Sequence, residues 1–286
     1  MHTTSVERVT VPTETGAAPA AATPTTVTPP RHAWLKEAGI VVGFYYVYQT
    51  IRSLADYHGA RARAYSNQRH LVTAEKFLHI YVEQSVQQAF LGARWFIRVM
   101  NIYYGTLHFA ITIGLLVWLF SRRHDVYRSM RNLLGLTTAL ALIGYWAFPL
   151  APPRLENCNT DVPVPTPDGF VVGKCIDDTL ASFGGLWSYH SPVAKAIANQ
   201  YAAMPSLHFG WSLWCGIVLW NHARTSTVRW LGVAYPALTL FAIVVTGNHY
   251  LLDAVGGAVI LVAARRILDI RRSHRSGAPT PEGAAA

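Results

Sequence analysis

Residues 230–268 read WLGVAYPALTLFAIVVTGNHYLLDAVGGAVILVAARRIL: an apolar run to Thr246, a polar turn at Gly247-Asn248-His249, and a second apolar run from Leu251 to Leu268. Each run approaches the roughly 20 residues a bilayer-crossing helix needs, so the pair reads as a helical hairpin in a membrane. The turn carries His249, and Asp253 follows four residues later. Ionisable side chains at membrane depth are costly, and their default reading is a functional site. Working outward, Met204-Pro205-Ser206-Leu207-His208 places a second histidine at the start of another apolar run.

The same hydropathy pattern fills most of the chain. Candidate spans are Trp34–Tyr48, Ile102–Phe120, Leu133–Leu150, Leu207–Trp220, Trp230–Thr246 and Leu251–Leu268. Apolar residues make up 51% of 286 positions and charged residues 14%, too few polar groups to cover a soluble globule containing six such helices. The expected fold is therefore all-α: a polytopic membrane helical bundle of about six transmembrane helices with an amphipathic interfacial helix. Residues 1–30, rich in Thr, Pro and Ala, and residues 273–286 read as disordered tails around a membrane-embedded domain at 31–272. The first tail has no apolar core and so reads as neither signal peptide nor anchor.

A net charge of +9 could suit nucleic acid, but its placement argues for a membrane instead. Arg122, Arg123, Arg128 and Arg131 lie between two spans, Arg224 and Arg229 between two others, and Arg265, Arg266, Arg271 and Arg272 at the end of the last. Under the positive-inside rule these positions are cytoplasmic, which puts both termini inside and Ala151–Ala203 outside. The segment Arg52–Arg98 resists this scheme, being basic on the outer side. Its apolar positions Leu71, Phe77, Leu78, Val82, Val86, Phe90 and Leu91 recur at helical spacing, with Glu75, Glu83 and several glutamines opposite. That pattern predicts an amphipathic helix at the interface, either with a solvated basic face or with arginines that help hold an anionic substrate. Cys158 and Cys175 share the outer loop, where an oxidising exterior favours a disulfide over two free thiols. Cys215 lies within a span.

Orienting the spans brings distant residues to one membrane face. Leu133–Leu150 runs outward and ends at Pro152-Pro153-Arg154; the next span begins outside at Ser206-Leu207-His208; the final pair turns around outside at His249. Arg154, Ser206, His208, His249 and Asp253 thus converge. On a helix His249 and Asp253 share a face. A carboxylate on one ring nitrogen fixes the tautomer and leaves the other as a nucleophile. A helix start at Pro205-Ser206, with proline in its first turn, offers backbone donors to a phosphate, and guanidinium suits bidentate phosphate contact. His108, on an apolar helix, is an accessory candidate, or a packed core histidine.

These residues resemble the type-2 phosphatidic acid phosphatase superfamily, and within it the inositol phosphorylceramide synthase-like branch. The similarity runs from about Asn101 to Leu268, and more faintly over Asn67–Gln88. The superfamily's second signature, Pro-Ser-Gly-His, is met by Pro205-Ser206-Leu207-His208. Its third, Ser-Arg, five residues, His, three residues, Asp, keeps His249 and Asp253 but has Ala242 and Ile243 in place of Ser-Arg. Its first survives as Arg154, with Ala147 where the lysine would be and Leu155 where the proline would be. Arg94, Arg98 and Lys76 are candidates to supply the missing charge.

The resemblance implies phosphoryl transfer from a lipid-linked phosphate to water or an alcohol such as inositol, through a phosphohistidine and with no metal or cofactor. His249 would be the nucleophile, Asp253 its orienting carboxylate, His208 the acid and base, and Arg154 with Ser206 the phosphate site. Its partners would be the lipid substrate and surrounding membrane lipids. Other functions share these residues. His208, His249 and Asp253 could form the iron triad of a metal oxygenase, although Arg154 would sit poorly beside a cation. Ser206, His249 and Asp253 could make a serine hydrolase, but Pro205 and Leu207 do not resemble a nucleophile elbow. A vanadate-binding oxidase on the related fold, and a non-enzymatic channel or carrier with a histidine relay, complete the set.

Overall fold

The computed structural model describes residues 33–54, 59–156, 164–166, 169–171, 176–186 and 200–276. Among these the chain is an all-α bundle. The helices are α1 (Ala33–Leu54), α2 (Ala60–Phe77), α3 (Glu83–Leu91), α4 (Arg94–Ile102), α5 (His108–Arg122), α6 (His124–Ala147), α7 (Thr179–Phe183), α8 (Leu207–His222), α9 (Ser226–Val245) and α10 (Leu251–Ser276). A π-helical turn, Tyr103–Leu107, joins α4 to α5 without a break. Val164–Thr166 and Gly169–Val171 form a small antiparallel hairpin in the long loop. Each of the six expected spans falls largely on a helix, although α6 ends at Ala147, before the expected end at Leu150. The continuous Arg94–Arg122 segment and α9, at 29 and 20 residues, are each long and apolar enough to cross a bilayer. At 16 residues α8 spans only about 24 Å, short of the hydrocarbon thickness.

The bundle is assembled around α8, whose Trp214, Cys215 and Val218 are fully buried. Trp214 Nε1 donates to the Met130 carbonyl (2.9 Å) and Trp211 Nε1 to Thr138 Oγ1 (3.0 Å), which ties α8 to α6. Against α10 the approach is backbone to backbone. Gly257 lies so close to Ser206 that a Cβ there would run into the Ser206 carbonyl oxygen. The bundle's outer surface is apolar: Ile113, Val117, Ile143, Leu231, Val255, Val259 and Val262 are all exposed. Water would penalise such a surface and hydrocarbon accepts it. The opposite end is held by Glu37 of α1, which takes an ion pair from Arg131 and a hydrogen bond from the Tyr127 hydroxyl (3.2 Å).

Two expectations change. The stretch Arg52–Arg98 is not one helix: it breaks at His79, in the left-handed region with φ 57°, and again between Leu91 and Arg94. Its buried face is also mixed rather than apolar, with Leu71 and Leu91 buried as expected but polar residues buried beside them. Gln68, Glu75, Glu83 and Gln87 are buried, while Phe77 is 81% exposed and Leu78 half exposed. The polar stripe faces inward because the backbone of the loops and of α10 needs hydrogen-bond partners there. The C-terminal helix, for its part, continues through Ser276 into the expected tail. Residues 1–30, residues 277–286 and both Cys158 and Cys175 lie outside the described residues.

Candidate active site

The α9–α10 turn is built to present His249. Val245 ends α9, and Gly247 adopts φ +68°, a conformation glycine takes without strain. A side chain at that position would also meet Ile176 and the Gln87 amide. His249 lies in the turn, two residues before α10 begins, so it does not share a helical face with Asp253 as expected. The contact survives by another route. Asp253 sits in the first turn of α10 and its Oδ2 reaches back to the Tyr250 backbone N–H (2.9 Å), in the manner of a capping box. The same oxygen is 3.3 Å from His249 Nδ1. Asp253 is fully buried and His249 nearly so, at 4% exposure.

The α8 start comes to the same place. Ser206 is the N-cap, its Oγ accepting from the Phe209 N–H (3.4 Å), and Pro205 lies before the cap rather than in the first turn. The Ser206 N–H donates to the Asp253 carbonyl (2.9 Å), so the two helix starts are linked through the backbone. The His208 and His249 rings are 5.7 Å apart between centroids. The π-helical turn supplies the far wall: Tyr104 stacks on His208 at 4.1 Å and lies 6.4 Å from His249. His108 follows directly, fully buried, 5.0 Å from the His208 ring, with Nδ1 on the Tyr235 hydroxyl (2.9 Å). π-bulges concentrate at functional sites because they re-aim side chains within a helix.

Arg154 joins the site through the turn. Its backbone N–H donates to the Gly247 carbonyl (2.9 Å), its guanidinium to the Asn248 side-chain oxygen, and its Nε lies 3.6 Å from Asp178. The five residues Arg154, Ser206, His208, His249 and Asp253 are therefore brought together. The other basic candidates lie elsewhere. Lys76 packs over the Tyr81 ring (4.9 Å), Arg94 is exposed over Phe183 (5.8 Å), and Arg98 is exposed on α4.

Behind the turn is a layer of buried acids. Glu83 Oε1 accepts the Leu251 N–H (2.9 Å) and Glu75 Oε1 the Leu252 N–H (2.8 Å). Glu156 accepts from the Tyr250 and Tyr81 hydroxyls (2.9 and 3.1 Å), and Gln68 donates to the Tyr250 oxygen (3.0 Å). Burial pushes the Glu75 carboxyl up to about 8, with Glu83 and Asp253 adding like charge. Burial also raises Glu83 and Glu156, against the pull of the hydrogen bonds they accept. The sequence pattern puts Glu75 and Glu83 opposite the apolar face and does not single out Tyr104, Asn248 or Glu156 as site residues. Asn248 was the legible one, adjacent to His249 in the turn. The π-bulge that aims Tyr104 leaves no mark in the residue pattern.

The bundle and this cluster define a helical membrane protein whose polar site is assembled from helix starts. A sequence model of the PAP2 superfamily matches residues 69–267, and the chain belongs to that superfamily. Membership carries a phosphatase- or phosphotransferase-type function. No curated protein and no solved structure matches the chain.

Proposed function

We propose that the protein transfers a phosphoryl or phospho-headgroup from a membrane lipid to water or to an alcohol such as inositol, through a phosphohistidine at His249, as in the inositol phosphorylceramide synthase-like branch. The observation that carries this reading is the convergence of His208, His249, Asp253 and Arg154 from three separate parts of the chain. With Nδ1 of His249 facing Asp253, its Nε2 is the atom left for chemistry. In the first step Nε2 bonds to phosphorus and the lipid oxygen leaves, taking a proton from His208. In the second, His208 removes a proton from water or the alcohol, whose oxygen bonds to phosphorus as the phosphorus–nitrogen bond breaks. Asp253 stabilises the imidazolium in both steps. Arg154 and the α8 start, with Ser206, hold the phosphoryl oxygens.

A lipid donor is supported by an open apolar groove of about 530 Å³ on the bundle surface, lined by Ile80, Phe209, Leu240, Leu251, Val255 and Val259. Phe209 follows His208 in α8 and Leu251 is two residues beyond His249, so the groove is formed by the same two helix starts that carry the histidines. The arginine clusters favour a site on the extracytoplasmic face of residues 31–272, with both termini inside. The test is incubation of purified protein with a panel of lipid phosphates, with and without inositol. Inorganic phosphate or a new lipid should appear, continue in EDTA and stop with vanadate. Turnover abolished by EDTA and indifferent to vanadate would overturn the mechanism in favour of a metal centre.

A further inference from the structure

The buried acid layer holds two oxygens that the described contacts leave without a partner: Glu75 Oε2 and Glu83 Oε2. Both residues are fully buried. Each spends its Oε1 on one N–H of the first turn of α10, Glu75 on Leu252 and Glu83 on Leu251. Two ionised carboxylates buried this close, beside Asp253, would repel one another, and no arginine or lysine is paired with either among the described residues. One proton resolves the arrangement, since Glu75 Oε2–H donating to Glu83 Oε2 satisfies both orphaned atoms with one hydrogen bond. Carboxylate dyads that cannot ionise together behave in this way.

We propose that Glu75 and Glu83 act as a proton-sharing pair of positioning residues that clamps the first turn of α10 and thereby fixes the His249–Asp253 geometry. The groups facing the pair are Asp253, which carries His249, and Tyr81, which donates with Tyr250 to Glu156 and lies under Lys76. None of these donates to the two orphaned oxygens in the described contacts. Loss of the shared proton leaves adjacent negative charges under the turn, which drives the pair apart and releases the amides of Leu251 and Leu252. The upward shift of Glu75 to about 8 agrees with a proton held at neutral pH. The sign follows directly. Glu75 keeps its proton in the folded state and releases it near 4.5 when unfolded, so its contribution is complete below about 4.5 and is lost as pH rises to about 8.

Glutamine reproduces the protonated acid, because its carbonyl can accept the backbone N–H while its amide donates to the remaining carboxylate. Glu75→Gln and Glu83→Gln should each recover most of the activity that Glu75→Ala and Glu83→Ala lose, by tenfold or more. The Glu75→Gln/Glu83→Gln double variant should resemble the alanine variants, since two amide donors then face one another with no acceptor. The dependence on turnover rests on the proposed reaction; a second readout does not. In detergent, wild-type Tm should fall between pH 4.5 and 8 after subtraction of the background slope, and Glu75→Gln should remove that fall. A double variant as active and stable as the singles, or an unchanged Tm–pH slope in Glu75→Gln, overturns the pair. If no lipid phosphate is turned over but the Tm–pH slope behaves as stated, the reaction is wrong and the pair stands.

Discussion

The two helix starts that meet in the site are prepared in opposite ways. At α8 the cap is a neutral hydroxyl, Ser206, and the ring that follows is His208. At α10 three carboxylates, Asp253, Glu75 and Glu83, take the N–H groups of Tyr250, Leu252 and Leu251. Helix starts attract anions through their donors and their dipole. The α10 start has carboxyl groups built in, whereas α8, capped by a neutral hydroxyl, is the end suited to receive an anion from a substrate. In the proposed reaction this divides the labour: α10 would fix the nucleophile, and α8 would face the phosphate.

Asp253 is where the division should show most. Asp253→Asn keeps the side chain's shape but removes the charge that orients and stabilises His249, so turnover should fall by about 10⁴-fold, as when the carboxylate of a catalytic triad is neutralised. Steady-state kinetics on folded protein checks this, and a loss below tenfold would mean that the carboxylate serves only as a cap. His208→Ala should cost about 10²- to 10⁴-fold with a lipid alkoxide leaving group and much less with a nitrophenolate, because general acid help matters little when the leaving oxygen is already a weak base. Equal losses with both donors would remove His208 from that role. Ser206→Ala should have the smallest effect, about 1 kcal/mol of stability from the lost cap with turnover reduced severalfold. A loss as large as that of His208→Ala would make Ser206 itself part of the chemistry.

How much of this was legible in the sequence differs between the same two layers. The six apolar runs and the partners His208, His249, Asp253 and Arg154 could be read directly, because hydropathy and charge bias fix which helix ends share a face. The local geometry could not. Helical spacing suggested that His249 and Asp253 pair along a helix, whereas the pairing comes from a capping turn that needs Gly247 at φ +68°. The acid layer could not be read either, because it is buried beside apolar residues of the same helices. Amphipathic patterning assumes that polar residues seek water, and at Gln68, Glu75, Glu83 and Gln87 they seek instead the unsatisfied backbone of α10 and the surrounding loops. Phe77 and Leu78, expected on the apolar face, are exposed instead, while Leu71 and Leu91 are buried as that pattern predicts.

The central claim is a covalent phosphoryl group on His249. The direct measurement is rapid quenching of the protein with a phosphorus-labelled lipid donor, followed by peptide mapping. The account predicts an acid-labile, base-stable label on the peptide containing His249, absent in His249→Ala and retained in His208→Ala with a nitrophenyl phosphate donor. Label on any other residue, or undiminished turnover in folded His249→Ala, would contradict it.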